Sequence, residues 1–268
     1  MREDVKRFYR VEVEPRLNDI QNQMQKEFIE NGLEWKKQFL VEFQAICKNV
    51  TQYCEENEYE PYFLIFHLLR TRIQNHDFRY QVRMYNQEWY LEEGVCVGDF
   101  SVTFIYARYE ELWNELQSER LKYVGKIKEE DVRCIMMEVI NEFQAYITRF
   151  LRENIREAVQ TEEYMHLIKG NRLEIKTGEY FEIGDFIFID EKQEDKEKQE
   201  QWLDEQNEGD EYTFEDFRGI ILKNKEYVNL DLRYADFSNA RFENVVFNNC
   251  MVEGTRFDGC DMGQVRFE

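Results

Sequence analysis

The sequence predicts an α+β fold, with a mainly helical N-terminal domain that contains short strands and a short solenoid at the C-terminus. Long stretches without glycine or proline carry apolar residues three or four apart, the spacing of one helix face. Apolar and polar residues alternate over residues 78–84, as in a strand. From Ala235 onward the chain repeats every five residues. That period belongs to neither a helix nor a simple strand and indicates a solenoid.

Helices are predicted first. Residues 15–57 carry a helical pattern in which Pro15 suits the first turn, and Gly32 is a candidate break between two helices. The run after Pro61, YFLIFHLLRTRI, is apolar on nearly all sides. We therefore expect a buried central helix that ends near Ile73.

A strand element follows near residues 78–97, where Gly94 and Gly98 bracket a second short strand. Asp99 or Ser101 is a candidate N-cap for a helix that runs to about Lys122. The longest helix is predicted over residues 128–167. Its heptad-spaced apolar residues suit either a bundle core or a coiled-coil partner; they are Val132, Met136, Val139, Phe143, Tyr146 and Phe150.

The pattern predicts four parts: a helical domain over 1–170, a β-hairpin over 171–190, an acidic linker over 191–217 and the repeats over 218–268. Residues 191–216 hold twelve acidic residues against three lysines, which is typical of a solvated segment. Trp202 is the exception, because an aromatic side chain in a charged stretch is a candidate docking residue.

The five-residue repeat has a large apolar residue in its third position and a small one in its first. Asparagine or glycine dominates the fifth position, which suits corners because both tolerate left-handed backbone angles. The third-position residues are Leu232, Phe237, Phe242, Phe247, Val252, Phe257, Met262 and Phe267. The first-position residues are Ala235, Ala240, Val245, Cys250, Thr255, Cys260 and Val265.

This run resembles the pentapeptide-repeat family, whose consensus is roughly A-(D/N)-L-x-x. The resemblance covers about residues 230–268, and upstream of it Lys225 and Tyr227 break the pattern. It implies a right-handed quadrilateral β-helix in which four pentapeptides form one coil and the first and third positions point inward. Residues 1–190 match no family motif.

If one coil has twenty residues, residues twenty apart are stacked neighbours. Asp236 would then lie against Arg256, and Arg241 against Asp261, at an outward position. Two opposite-charge pairs in this register support it.

The two ends of such a solenoid need covers, since an open end exposes apolar rings and unpaired backbone. Residues 213–228 are the candidate upstream cap. Downstream, the repeat ends at Arg266 and Phe267 without a cap in this sequence. Three alternatives stay open: a homodimer through this end, docking of a different protein, or a natural chain that continues.

Composition limits the partners. The chain of 268 residues has a formal net charge of −21, which disfavours nucleic acid and anionic membrane surfaces. We expect no signal peptide and no membrane span. The cysteines are scattered, which favours reduced thiols in the cytoplasm over a disulfide framework; they are Cys47, Cys54, Cys96, Cys134, Cys250 and Cys260.

No strong catalytic motif is present, and the three histidines, His67, His76 and His166, lie far apart in sequence. His67 sits in an apolar run and is expected to be a hydrogen-bonded core residue. Cys47 and Cys54 without a second pair make a weak metal site. The sequence therefore predicts no catalytic residue, cofactor or metal.

Three functions follow from these patterns. The first is a non-catalytic interaction or scaffold protein that docks or dimerises through the repeat segment. The second is an acidic DNA mimic that inhibits an enzyme such as a type II topoisomerase, as some members of the resembled family do. The third is an enzyme whose site in the helical domain has no recognisable motif.

Overall fold

The computed structural model describes residues 2–91, 93–180, 182, 184–191, 196–205 and 212–268. It divides into two compact units, Met1–Phe188 and Ile189–Glu268. The two units are described separately below.

The first unit begins with helix α1 (Glu3–Phe8), continues through a π-helical turn (Tyr9–Val13) and enters helix α2 (Glu14–Asn57). The predicted break at Gly32 is wrong, because α2 is continuous over 44 residues. A single glycine costs a helix only about 1 kcal/mol relative to alanine. The packed apolar residues on either side of Gly32 outweigh that cost.

A five-stranded sheet follows, with strands β1 (Phe63–Leu68), β2 (Arg79–Tyr85), β3 (Val95–Ser101), β4 (Arg172–Glu179) and β5 (Asp185–Glu191). Their order is β3-β2-β1-β4-β5. Strand β1 pairs antiparallel with β2 and parallel with β4. The segment of the predicted hairpin thus supplies two strands of the same sheet.

The prediction of a central helix after Pro61 is wrong, because this run forms strand β1 and only the short helix α3 (Arg70–Gln74) follows it. All six residues of β1 are buried. A strand covered on both faces loses its alternation and looks like a buried helix in sequence.

Helices α4 (Thr103–Arg120), α5 (Glu129–Ala158) and α6 (Glu162–Met165) complete the first unit. Helix α4 has no side-chain N-cap, since Asp99 and Ser101 both belong to β3. The long predicted helix ends at Ala158 and not at Leu167. Its heptad residues Val132, Met136 and Phe143 are buried in the core of the unit, which is the bundle-type use of the pattern.

The second unit contains helix α7 (Lys196–Asp204) and three parallel strands, β6 (Ile221–Val228), β7 (Arg241–Asn248) and β8 (Val265–Phe267). The pairings of these strands join residues twenty apart, such as Leu222 with Phe242. Backbone N–H groups donate to carbonyls on the neighbouring turn of chain, as from Leu232 to Met251 at 2.9 Å. We call residues 212–231, 232–251 and 252–268 the first, second and last layers.

The corners between short strands have left-handed backbone angles. They are occupied mainly by the asparagines and glycines of the fifth position, with φ of 60° at Asn239 and 72° at Gly254. Glycine at 254 is required for a second reason, because a Cβ there would lie 2.5 Å from the Tyr234 ring. Among the described residues, no helix is long and apolar enough to cross a membrane.

Candidate interaction site

The third-position residues of the repeat differ in burial from layer to layer. Those of the second layer are enclosed: Leu232, Phe237, Phe242 and Phe247 are all at most 4% exposed. In the last layer Val252, Phe257 and Met262 are half-buried, and Phe267 is 48% exposed. The repeat column therefore passes from a closed core to an open face.

Aromatic rings stack from layer to layer in this column. Phe237 lies between Phe217 and Phe257, with ring centroids 4.9 and 5.6 Å away. In a second stack, Phe247 lies 5.5 Å from both Tyr227 and Phe267. The planes are within 23° of parallel in each of these pairs. Each stack crosses all three layers.

The first-position residues follow the same gradient. Ala235, Ala240 and Val245 are buried; Cys250, Thr255, Cys260 and Val265 are half-buried. The Thr255 hydroxyl donates to the Leu232 carbonyl at 2.7 Å, and the Cys260 thiol lies 3.0 Å from the Phe237 carbonyl. Small polar hydrogen-bond donors at this position thus bind the preceding layer.

The expected stacking of charges is only partly found. Asp236 and Arg256 pair in the expected backbone register, but Asp236 is only 5% exposed and Arg256 forms its ion pair with Asp258. Acidic and basic residues two apart form the ion pairs here, as in Asp231–Arg233 at 2.6 Å. The Arg233 guanidinium holds the pKa of Asp231 below its usual value. The sequence analysis placed Asp236 at an outward position, whereas tight turns direct such carboxylates back toward the backbone.

Asp261, which was expected to lie against Arg241, accepts a hydrogen bond from the Gly263 N–H at 3.0 Å. An ion pair between neighbouring layers does occur elsewhere, between Lys223 and Glu243 at 2.8 Å. The register of twenty is therefore carried by backbone and rings more than by charge.

Helix α7 covers the first layer. Leu203 is fully buried there, and the Trp202 ring, 43% exposed, lies 4.7 Å from that of Tyr212. Asp204 accepts hydrogen bonds from Lys225 at 2.5 Å and from the Tyr227 hydroxyl at 3.0 Å. The described part of the predicted acidic linker therefore packs on the repeats, while residues 192–195 and 206–211 lie outside the described residues.

Two sequence interpretations change as a result. Residues 213–228 are not a cap but form most of the first layer, and α7 is the cap. Lys225 and Tyr227 break the repeat pattern, and both of their side chains bind Asp204.

Burial, and then the Asp204 charge, raise the pKa of Tyr227. Counting upstream in fives from Leu232 reaches Tyr227, Leu222, Phe217 and Tyr212 and would have revealed this layer.

The last layer has no such cover within the described chain. Phe267 is 48% exposed, and Met251 at the neighbouring edge is 47% exposed. Arg266 is exposed beside them, and among the described residues it forms no ion pair. Of the residues expected to interact, Arg266 and Phe267 thus lie on the open face, whereas Trp202 lies at the opposite, covered end.

The first unit holds a buried polar cluster that sequence reasoning missed, on the face of the sheet opposite the main core. Lys176, 4% exposed, lies 3.0 Å from Glu174. Its ammonium also lies 4.1–5.0 Å from the ring centroids of Phe63, Trp89 and Phe186. Such contacts between a cation and aromatic rings are favourable when desolvated. The alternation of β4, apolar on one side and charged on the other, was the available signal.

His67 lies on the same face and is 1% exposed, with its Nε2 2.8 Å from the Tyr85 hydroxyl. This agrees with the expected core histidine. Burial is the main cause that lowers its pKa to about 4; the Glu179 backbone opposes this effect, and the Arg83 charge makes a smaller contribution in the same direction as burial. The ring is therefore neutral at pH 7.

Because the folded pKa of His67 lies below its unfolded value of 6.5, the free energy of unfolding decreases as pH falls from 6.5 to about 4. We expect a loss of about 3 kcal/mol over this range. Denaturant titrations of the wild type and of His67→Gln at several pH values check this. The variant should lack that part of the pH dependence, and the exposed-site control His166→Gln should retain it. An unchanged slope in His67→Gln would contradict the assignment.

Among the described residues no group of three or more histidine, cysteine or acidic side chains is arranged to hold a metal ion. Burial raises the pKa of Cys47 to about 12 and that of Cys54 to about 11, so both are protonated thiols at neutral pH. Neither is prepared to act as a thiolate ligand.

The comparisons with known proteins agree with the repeat geometry. The family model for pentapeptide repeats matches residues 228–264 in eight copies. No curated protein and no solved structure matches the chain. The layered stacking begins upstream of the matched range, at Tyr212, whose N–H donates to the Asp231 carbonyl at 2.8 Å. The C-terminal part of this chain is a pentapeptide-repeat segment.

Proposed function

We propose that this chain is a non-catalytic protein–protein interaction or assembly protein, and that its repeat segment is a right-handed quadrilateral β-helix used as a docking or dimerising stem. Pentapeptide repeats are in general non-catalytic and take part in protein interactions. A left-handed corner after every fifth residue and a pairing register of twenty both support the quadrilateral form.

One observation carries the proposal: one end of the stack is covered and the other is open. The first layer is closed by α7, whereas at the other end Phe267 of the last layer and Met251 at the adjoining edge of the second are about half exposed. Among the described residues no further layer pairs with the strand edge at this end. An apolar face bordered by unpaired backbone favours contact with another protein surface.

The alternative of an acidic DNA mimic has less support. From Val228 to Glu268 there are seven acidic residues and four arginines. Three carboxylates of the repeats are paired with arginines two residues away, those of Asp216, Asp231 and Asp258. A mimic of duplex DNA needs long rows of unpaired negative charge, which this pairing removes.

The alternative of an enzyme also lacks a supporting observation. A surface cleft of about 450 Å³ contains His166 and three glutamates, Glu55, Glu162 and Glu163. The Nδ1 of His166 binds the Glu162 carbonyl at 2.8 Å, and Glu163 pairs with Lys48 at 3.4 Å. His166 and Glu163 are thus engaged with neighbouring groups, and no contact among the described residues of this cleft favours a catalytic role. We place the protein in the cytoplasm, which agrees with six free cysteines.

Light scattering coupled to size-exclusion chromatography tests the stem. If copies pair through the last layer, the intact chain is a dimer and Phe267→Asp is a monomer. The control Val228→Asp changes a 39% exposed residue of the first layer and should remain a dimer. A dimer that resists Phe267→Asp contradicts self-association through this face.

If the intact chain is a monomer, a photo-crosslinking residue at position 267 replaces this measurement. It should capture a partner that the same residue at position 228 does not. Equal capture at both positions contradicts the proposed stem.

A further inference from the structure

We propose that the first layer of the repeats is a second interaction surface, that it fits the last layer of another copy of this chain, and that α7 occupies it to prevent stacking of copies into filaments. This inference rests on the proposed function, because it uses the same last layer as a contact surface.

Helix α7 takes the place of a preceding layer of the stack. Between the first two layers, the Arg241 N–H donates to the Ile220 carbonyl at 2.9 Å, a residue 21 positions earlier. At the outer edge of the first layer, the Ile221 N–H donates at 2.9 Å to the Glu200 carboxylate, also 21 positions earlier. A glutamate of α7 thus satisfies a backbone donor that a preceding layer would otherwise satisfy.

The last layer of another copy would offer a backbone carbonyl in the place that the Glu200 carboxylate now occupies. Counting forward by forty from Ile220, two steps of the twenty-residue register of the strands, gives Cys260 as the residue whose carbonyl would accept from Ile221 of the next copy. A last layer placed on the first layer of another copy would therefore continue the hydrogen-bond pattern already present between layers. Strand edges that expose such complementary groups pair readily.

The aromatic columns match as well. Phe257 and Phe267 of the last layer belong to the same two stacks as Phe217 and Tyr227 of the first. Joining copies head to tail would continue both stacks. Contacts between two different surfaces of one protein generate an open filament when the rotation between copies does not close a ring, and stacking the repeats along one axis does not close one.

Lys225 and Tyr227 show that the first layer is adapted to α7. The corresponding residues of the second layer are Val245 and Phe247, which fit the repeat pattern. In the first layer the ammonium and the added hydroxyl both bind Asp204. These departures from the pattern hold the helix in place, which disfavours its exchange for another copy.

The test displaces α7 in the intact chain in two ways. Leu203→Asp puts a charge at its buried contact, and Lys225→Val/Tyr227→Phe restores the repeat pattern beneath it without any new charge. Gln201→Asp, at an exposed position of the same helix, is the control. We expect both displacing variants to grow in mass with concentration by light scattering, and to form filaments by electron microscopy, while the control keeps the wild-type mass.

Adding Phe267→Asp to either displacing variant should remove at least nine-tenths of the associated material. Hydrogen exchange of the α7 amides establishes that the helix has been released, with an acceleration of at least tenfold expected. Released α7 with a wild-type mass would overturn the inference and leave the proposed stem intact. Phe267→Asp that fails to change wild-type association or crosslinking overturns the stem, whatever the α7 variants do.

Discussion

Replacing Phe237 with alanine is expected to destabilise the repeat unit by about 4 kcal/mol, because a fully buried phenylalanine leaves a cavity that its neighbours only partly fill. Phe237 is 0% exposed and touches the rings of four phenylalanines in three layers. Those rings sit on chain segments whose register is fixed by backbone hydrogen bonds between layers, so they have little freedom to collapse inward.

Hydrogen-exchange mass spectrometry on peptides from residues 230–250 measures this effect without a two-state assumption for the whole chain. The loss corresponds to roughly a thousandfold faster exchange. Phe267→Ala is the matched control, since it removes the same side chain from an exposed end of the same core and should cost about 1 kcal/mol. Equal effects of the two substitutions would show that the last layer is closed in solution.

Lys176→Met is expected to lower the stability of the first unit by about 3 kcal/mol, since it leaves the buried Glu174 without one of its two cationic partners. Glu174 retains Arg172 at 2.9 Å, which limits the loss. The methionine fills a similar volume and keeps contact with the three rings, so the change reports mainly on charge.

The double variant Glu174→Gln/Lys176→Met should recover part of the loss, because both buried charges are then removed together. Denaturant unfolding and hydrogen exchange of the β1 and β4 amides measure these two variants and the single variant Glu174→Gln. Lys37→Met is the control, since Lys37 and its partner Glu34 are 73% and 79% exposed and such pairs contribute little. A double variant as unstable as the sum of the single ones would contradict the pairing.

The period, the corners and the inward columns of the repeats from Leu232 onward could be predicted because each is a local sequence pattern. The sheet of the first unit could not, since β1 is covered on both faces and therefore has no period of two. Its register with β4 joins residues more than a hundred positions apart, such as Phe63 and Glu174, and no local pattern encodes that pairing.

The candidate site was predicted in part for a similar reason. Arg266 and Phe267 could be placed at the open end by extending the column of phenylalanines. The role of α7 could not be predicted, because its contribution depends on three residues, Glu200, Leu203 and Asp204, in a stretch whose composition suggests a solvated linker. Lys225 and Tyr227 appeared as irregularities until their common partner Asp204 was located.

The twenty-residue register has a consequence for how this chain can change in length. Inserting or deleting twenty residues within the stack would add or remove one whole layer and leave α7 and Phe267 on the same sides of the unit. In the quadrilateral form that we propose, inserting a single pentapeptide would move the open end by one side and turn Arg266 and Phe267 through about a quarter of a revolution relative to α7. The length of the stem is therefore set by the number of complete layers. Its orientation is set by the number of pentapeptides that remain after the complete layers of four are counted.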